Sequence, residues 1–239
     1  MAARVYVMPV SNAAAAGAAM VAHKGIEHRV VNLMPGLHPL LVRFAGFERF
    51  TVPALEIDGR KVQGTREIAR FLDALRPDPP LFPADPGRRA RVEEAERWGE
   101  QVLQPVPRRL FRYLLLTTHS VRMWMGTEVM RVPVPRLMAV LFMPAVRRLA
   151  AISRAEEAVV REDLARLPEL LDHVDGLIAD GVIGGAEPSA ADFQILASVR
   201  VLLEFEDLAE LVEGRPCEAA ARRRFVRWAG PIPRGLPVT

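Results

Sequence analysis

The sequence predicts an α/β N-terminal domain followed by an all-α C-terminal domain. Three observations lead to this prediction. Strand and helix signals alternate over the first third of the chain, five prolines fall within residues 76–86, and no convincing strand pattern follows them. Because proline cannot continue a helix, the proline run indicates a linker. The predicted boundaries are 1–77 for the first domain, 78–88 for the linker and 89–239 for the second domain.

The first strand-helix-strand unit lies at the N-terminus. Residues 4–8 are rich in β-formers and stop before a proline. Ser11 then offers N-cap chemistry to an alanine-rich helix over 13–23, which ends at a Lys-Gly pair, as helix C-termini often do. Residues 26–33 have the composition of a second strand, so we expect a parallel βαβ unit. A short helix is predicted at about 39–44.

A hairpin and a helix complete this domain. Ala54 to Ile57 and Lys61 to Gln63 flank Asp58-Gly59, the favoured dipeptide of a tight antiparallel hairpin. Thr65 to Leu75 carries apolar residues at helical spacing on one face. The resulting order, β-α-β and then β-β-α, is the thioredoxin-like topology.

The C-terminal two thirds have helical patterns throughout. Pro105 and Pro107 are expected to interrupt them, and the segment 117–135 is irregular. Ser189 and Asp192 form a capping box in front of a helix too apolar for a surface. The predicted helices cover 87–103, 108–116, 137–151, 154–180, 191–203 and 216–228.

Composition limits the classes of protein and of site. Half of the 239 residues are hydrophobic, which is ample for a buried core, and the formal net charge is only +3. The basic cluster at 222–227 is interpreted as a solvated helix face, so no nucleic-acid partner is predicted. The one cysteine, Cys217, excludes an internal disulfide and a multi-cysteine metal site. The five histidines lack metal-binding spacing, so no metal is predicted.

The N-terminus lacks the long apolar region of a signal peptide. The most apolar stretch, 137–146, is about half as long as the roughly 20 residues that span a bilayer. We therefore expect a soluble, cytoplasmic protein with no membrane partner.

The segment from Thr51 to Pro86 and the capping box of Ser189 and Asp192 resemble the corresponding parts of cytosolic glutathione S-transferases. The resemblance covers nearly the whole chain, apart from 117–151, which is longer or more irregular than in typical members. It implies a thioredoxin-like domain that binds a thiol and an all-helical domain behind it. Within the family, the chain is most similar to members with a Ser-type N-terminal site.

The resemblance implies a catalytic role for Ser11. Its spacing from Lys24-Gly25 is that of Ser-type members, in which the hydroxyl and the helix dipole favour an adjacent thiolate. The alternative is that Ser11 only caps the helix. Asn12 stands where Ser-type members commonly carry proline. It either donates a second hydrogen bond to the thiolate or displaces the turn. Tyr6 is offset by one residue from the Tyr-type position, so it is expected to point away from the site.

The remaining thiol contacts are also implied by the resemblance. Val52-Pro53 corresponds to the cis-proline turn whose preceding residue pairs with the cysteinyl backbone of glutathione. Thr65 corresponds to the residue that binds the γ-glutamyl carboxylate. Gly64 departs from the Glu or Gln that usually meets the α-ammonium group, and Gln63 or a partner subunit is expected to compensate.

His38 falls, with Arg43, where some members bind the glycyl carboxylate. The acceptor pocket is expected between the domains, with Phe111, Tyr113 and Trp124 as apolar walls; core packing is the alternative for these residues. Cys217 lies far from the thiol site in sequence and is expected to be structural.

The expected function is transfer of glutathione, or a related low-molecular-weight thiol, to a small hydrophobic electrophile, as in detoxification. Glutathione serves as co-substrate and no other cofactor is implied; a homodimer is expected from the family. The alternative is a non-catalytic binding or regulatory protein of the same fold. A thiol-disulfide oxidoreductase is disfavoured, since no cysteine lies near position 11.

Overall fold

A computed structural model describes residues 3–225 and 230–238. Its N-terminal domain is built on one four-stranded mixed sheet in the order β2-β1-β3-β4. β1 runs parallel to β2 and antiparallel to β3, and β3 and β4 form the predicted hairpin. The fold class predicted from the sequence is confirmed. The strands are β1 (Ala3–Val7), β2 (His28–Asn32), β3 (Ala54–Ile57) and β4 (Arg60–Gln63).

Three helices cover the two faces of this sheet: α1 (Asn12–His23), α2 (His38–Phe44) and α3 (Thr65–Leu75). Val5 and Val7 belong to the main core, which includes residues of α1 and α3. Tyr6, between them in β1, joins a smaller cluster with Val42 of α2. Alternate residues of a strand point to opposite faces, so this is the orientation predicted for Tyr6.

The Val52-Pro53 turn rests directly on α1. Its peptide bond is cis, as the resemblance implies. A Cβ added to Gly17 of α1 would lie 2.8 Å from the Cβ of Pro53, closer than carbon atoms pack. Glycine at position 17 therefore allows the helix and the turn to approach each other.

The C-terminal region is helical. Its helices are α4 (Pro86–Trp98), α5 (Pro105–Thr117), α6 (His119–Trp124), α7 (Pro135–Leu141), α8 (Met143–Ile152), α9 (Glu157–Ala179), α10 (Ala190–Leu202), α11 (Ala209–Val212) and α12 (Pro216–Arg224). Residues 226–229, the end of the last predicted helix, lie outside the described part of the chain. No helix of the described chain is both long enough and apolar enough to cross a bilayer.

The expected interruption at Pro105 and Pro107 takes a milder form. A π-helical turn, Gly99–Leu103, joins α4 to α5, and Gln104 keeps right-handed helical angles. Pro105 is the first residue of α5, a position where a missing N–H costs nothing. The prolines therefore shift the hydrogen-bond pattern without ending the helical run.

α10 lies at the centre of the C-terminal region, and all of its residues are buried. The carboxylate of Asp192 accepts hydrogen bonds from the Ser189 N–H and hydroxyl, both at 2.8 Å. It also accepts one from the Gly184 N–H at 2.6 Å. The predicted capping box is confirmed.

Candidate functional site

A cleft of about 360 Å³ opens between the two domains. The N-terminal domain contributes the loop before α1, the start of α2, the Val52-Pro53 turn and the start of α3. The opposite wall is the continuous α4–α5 run. The cleft is lined by Met8, Pro9, Val10, Ser11, Asn12, Ala13, His38, Arg49, Thr51, Val52, Pro53, Gly64, Thr65, Glu100, Gln104, Arg108, Phe111 and Arg112.

Ser11 is the N-cap of α1 and faces this cleft. Its Oγ accepts a hydrogen bond from the Ala14 N–H at 3.3 Å. A serine hydroxyl keeps one O–H donor when its oxygen accepts, so capping leaves the proton of Ser11 available to a ligand. Val10, just before it, has φ of 61°, which is strained for a β-branched residue. Such strain is typical of functional sites.

Asn12 lines the cleft, but its side-chain amide is engaged elsewhere. Its Nδ2 donates to the Gln104 carbonyl at 3.1 Å and to Ser198 Oγ at 3.0 Å. Its Oδ1 accepts from the Ala13 N–H at 2.9 Å. The amide therefore ties α1 to α5 and α10, and a thiol contact by Asn12 would compete with these bonds.

Thr65 is buried as the first residue of α3, and Gly64 caps that helix with φ of 98°. This conformation favours glycine. A Cβ on Gly64 would lie 2.2 Å from Glu67 Oε2, so the Glu67 carboxylate occupies the space of a side chain at position 64. Glu67 also pairs with Arg49 at 3.1 Å. Glu67 was not singled out from the sequence, since it lies one turn beyond the expected position.

Val52 lines the cleft, whereas Gln63 is turned towards the loop before it. The Gln63 amide accepts from the Arg49 N–H at 2.8 Å and donates to the carbonyls of Arg49 and Thr51 at 2.8 and 3.1 Å. These bonds hold the loop that leads into the cis-proline turn. Gln63 thus supports the cleft from behind, and its predicted contact with the thiol is not part of this geometry.

His38 reaches the cleft from the start of α2 and is buried. Its Nδ1 has no hydrogen-bond partner among the described residues. Burial, followed by the nearby Arg112 charge, lowers the pKa of the His38 ring. Arg43 points to the carbonyls of Phe47 and Glu48 instead, at 3.2 and 3.3 Å.

Of the three predicted acceptor residues, the structure brings only Phe111 to the cleft. Tyr113 and Trp124 are buried in the main core. There the rings of Trp124 and Phe111 pack edge to face, with 6.3 Å between their centroids. Successive helix positions turn by about 100°, so Tyr113 cannot share the face of Phe111. The placement of Tyr113 and Trp124 corrects the expected pocket.

Residues 5–80 match the family model of the glutathione S-transferase N-terminal domain, which is less than half of the chain. Among solved structures, the chain is similar to the beta-etherase LigF from Sphingobium sp. strain SYK-6. Their sequences are 19% identical, the match covers 96% of this chain and 97% of the other, and the TM-score is 0.67. No curated protein matches by sequence.

Two further similar structures are glutathione transferases. One is poplar glutathione transferase F1, with 17% identity, 96% and 94% coverage and a TM-score of 0.64. The other is a Methylobacterium radiotolerans enzyme in complex with glutathione sulfonate, with 17% identity, 100% and 98% coverage and a TM-score of 0.55. The chain has the glutathione S-transferase fold.

Four charged residues of the cleft were not singled out from the sequence: Arg49 and Glu100, and Arg108 and Arg112 on α5. Glu100, Gln104, Arg108 and Arg112 recur every fourth residue along the α4–α5 run. That spacing was the available signal, but the expected break at Pro105 hid it. Burial raises the pKa of the Glu100 carboxyl.

Outside the cleft, Cys217 is buried at the start of α12. Burial, with Asp175 alongside, raises the pKa of its thiol to about 12. This supports the expectation that Cys217 is structural, because the thiolate is the reactive form. Among the described residues, no His, Cys, Asp and Glu side chains are grouped as metal ligands.

Proposed function

We propose that this protein binds glutathione, or a related low-molecular-weight thiol, and transfers its thiolate to a small electrophile. One observation carries the proposal. Ser11, Val52 and Thr65 come from three separate segments and line one cleft. The resemblance assigns these positions to the sulfur, the cysteinyl backbone and the γ-glutamyl carboxylate of glutathione.

Ser11 stabilises the thiolate in this proposal. The ordinary thiol pKa of about 8.5 falls when a donor and a helix N-terminus lie beside the sulfur. The first turn of α1 carries no acidic side chain to oppose this effect. The thiolate then attacks the electrophilic carbon, and the leaving group departs with its bonding electrons. Positioning in the cleft supplies much of the rate.

Glu67 takes the part of the side chain that Gly64 lacks. Its carboxylate stands where a side chain at position 64 would begin, beside Thr65 at the N-terminus of α3. A carboxylate there suits the α-ammonium group of glutathione, while the first-turn amides of α3 suit the neighbouring carboxylate. We therefore propose that Glu67, in place of Gln63 or a partner residue, meets the ammonium group.

Calorimetric titration with glutathione tests the proposal. Ser11→Ala is expected to lower conjugation of a generic aromatic electrophile by about tenfold or more, since hydrogen bonds to charged groups contribute about 1.5–3 kcal/mol. Thr65→Ala and Glu67→Gln should weaken binding. Ser120→Ala, at an exposed serine of α6, is the matched control. Absence of glutathione binding at millimolar concentration would refute the assignment.

A non-catalytic binding or regulatory protein is the second candidate. It is favoured by Gly64 and by the Asn12 amide, whose hydrogen bonds are already made within the protein. Glutathione binding without any conjugation, and without an effect of Ser11→Ala, would support this candidate. The similar solved structures include both an etherase and transferases, so the electrophile has to be identified by activity assays.

We also propose a cytoplasmic homodimer that acts in detoxification. Large apolar side chains are exposed on two helices, Leu40 and Phe44 on α2 at 57% and 86%, and Val140 and Leu141 on α7 at 68% and 61%. Exposed apolar surface of this kind is typical of association sites. Sedimentation of wild type and Phe44→Ser tests this: a dimer in the first and a shift towards monomer in the second are expected.

A further inference from the structure

Two arginines of α5 line the cleft and form no ion pair with any described residue. Arg108 and Arg112 are four residues apart, which places them on one side of the helix. Among the described residues neither forms an ion pair. The Arg112 guanidinium makes one hydrogen bond, to the Leu149 carbonyl at 3.3 Å.

Neighbouring arginines behave differently. Arg109, between the two on the same helix, pairs with Asp163. Arg66 and Arg70 of α3 share the buried Glu96 at 3.1 and 2.9 Å. Arg49, which also lines the cleft, pairs with Glu67 at 3.1 Å. Among the arginines that line the cleft in the described part of the chain, Arg108 and Arg112 are therefore the two without an ion pair.

Arg112 is half-buried in the wall of the cleft, whereas Arg108 is exposed. Burial lowers the pKa of Arg112 to about 10, and the Arg108 charge is the second cause. Both still carry their charge at neutral pH. Two like charges on adjacent turns repel each other, and an anion between them would relieve the repulsion.

Glu100 is the one carboxylate among the lining residues. Its charge favours the charged form of Arg108, but its ion pair is with Arg66, at 3.7 Å. His38, close to Arg112, adds a buried ring nitrogen without a partner. Phe111 lies on the same wall and offers an apolar surface next to the charges.

We infer that Arg108 and Arg112 form an anion subsite, and that the second substrate carries a carboxylate or a similar acidic group. The inference rests on the proposed function. It changes the expected electrophile from a purely hydrophobic molecule to one that has both an acidic group and an apolar part. Guanidinium groups bind carboxylates with two parallel hydrogen bonds, which would orient the acceptor along Phe111.

A binding experiment tests the subsite without relying on turnover. Unreactive dinitrobenzoate and its methyl ester are titrated into the whole protein in the presence of glutathione. Wild type is expected to bind the acid more tightly than the ester. Arg108→Gln and Arg112→Gln are each expected to lower the affinity for the acid by about tenfold or more. Binding of the ester should stay unchanged. The matched control is Arg97→Gln, at an exposed arginine of α4.

A kinetic experiment shows whether the bound carboxylate belongs to the electrophile or to glutathione. Chlorodinitrobenzoate and its methyl ester are compared as acceptors: the thiolate sulfur bonds to the chlorine-bearing carbon, chloride leaves with the bonding electrons, and the thiol proton passes to solvent. Arg112→Gln should lower kcat/KM for the acid and leave the KM for glutathione unchanged.

The outcomes separate the inference from the proposed function. If Arg112→Gln weakens the binding of glutathione and has the same effect on the binding of acid and ester, the arginines bind the carboxylate of the thiol itself. The inference is then overturned while the proposed function stands. Equal binding of acid and ester by wild type overturns it too. If acid binding depends on both arginines but no thiol binds, the anion subsite stands and the transferase function fails.

Discussion

Gly17 shows how one residue joins the framework to the site. A methyl group there would meet the rigid Pro53 ring at 2.8 Å. We expect Gly17→Ala to destabilise the protein, because overpacking costs about 1–3 kcal/mol and outweighs the gain in helix propensity. Urea unfolding measures the change.

Gly176 is the matched control, since it is also helical and a Cβ there would meet nothing within 4 Å. Gly176→Ala should be neutral or stabilise the protein by up to about 1 kcal/mol. Equal effects of the two substitutions would contradict the close contact between α1 and the cis-proline turn.

His38 predicts how stability depends on pH. Its pKa is lowered in the folded protein, first by burial and then by Arg112. The unfolded chain therefore binds the proton more readily, so stability is complete above the ordinary pKa of about 6.5 and falls as the pH drops through the folded value.

Thermal unfolding between about pH 7.5 and pH 5 measures this dependence. His38→Gln should lose less stability on acidification than wild type. His119→Gln, at an exposed histidine of α6, serves as control. A wild-type slope retained by His38→Gln would exclude His38 as its origin.

Single residues of the site were predictable where their signal is local. Ser11 was found because an N-cap is defined by its immediate neighbours, and Thr65 because it opens the periodic pattern of α3. Asn12 is different, because its amide bonds to residues 92 and 186 positions away in the chain. No local pattern contains such partners, so the part of Asn12 in the domain interface appears only once the chain is folded.

At the scale of elements, the Asp192 cap is expected to be worth more than an ordinary cap. Its carboxylate is almost fully buried and accepts three hydrogen bonds at the start of the buried helix α10. Asp192→Ala leaves these donors unsatisfied, at about 1–3 kcal/mol each for buried groups, so a loss of several kcal/mol is expected.

The exposed cap of α4 gives the comparison. Asp85 Oδ1 accepts from the Arg88 N–H at 2.7 Å, and Asp85→Ala should cost about 1 kcal/mol. The denaturant midpoints of the two variants measure the two losses of stability. Similar losses would mean that burial and the Gly184 contact add nothing to the capping box.

Elements with complete local signals were predicted well. α3 and β3 begin and end where their turn, capping and periodicity signals place them. The sequence predicts two helices for the α4–α5 run, because Pro105 is expected to interrupt it. A π-helical turn accommodates the proline, and at the start of this turn Gly99 packs closely against Ile195 of α10, a contact between distant segments that no local pattern contains.

At the scale of the whole molecule, one hydrophobic core includes buried residues of both domains. α1 packs on α10, and Asn12 bonds across the interface. Lys24 fastens the other end of α1: its buried Nζ donates to Asp73 at 2.8 Å and to the carbonyls of Arg76 and Pro79 at 2.8 and 2.6 Å. This arrangement indicates that the two domains unfold together.

The two lysines and the single cysteine provide a test of that coupling. Lys24→Met leaves Asp73 and the linker carbonyls without their charged donor, so a loss of about 3–5 kcal/mol is expected. Lys61→Met, at the exposed second lysine, should cost far less. Labelling of Cys217 under increasing denaturant reports on the C-terminal region, because the buried thiol reacts only when the region opens.

In Lys24→Met, the midpoint of Cys217 labelling should move to lower denaturant by the same amount as the midpoint of far-UV circular dichroism. The substitution lies in the first domain and the probe in the second, so equal shifts require one cooperative transition. A Cys217 midpoint that stays at the wild-type value would mean independent domains. The cleft between them would then be free to open without unfolding either domain, and both substrates would meet a hinged site instead of a fixed one.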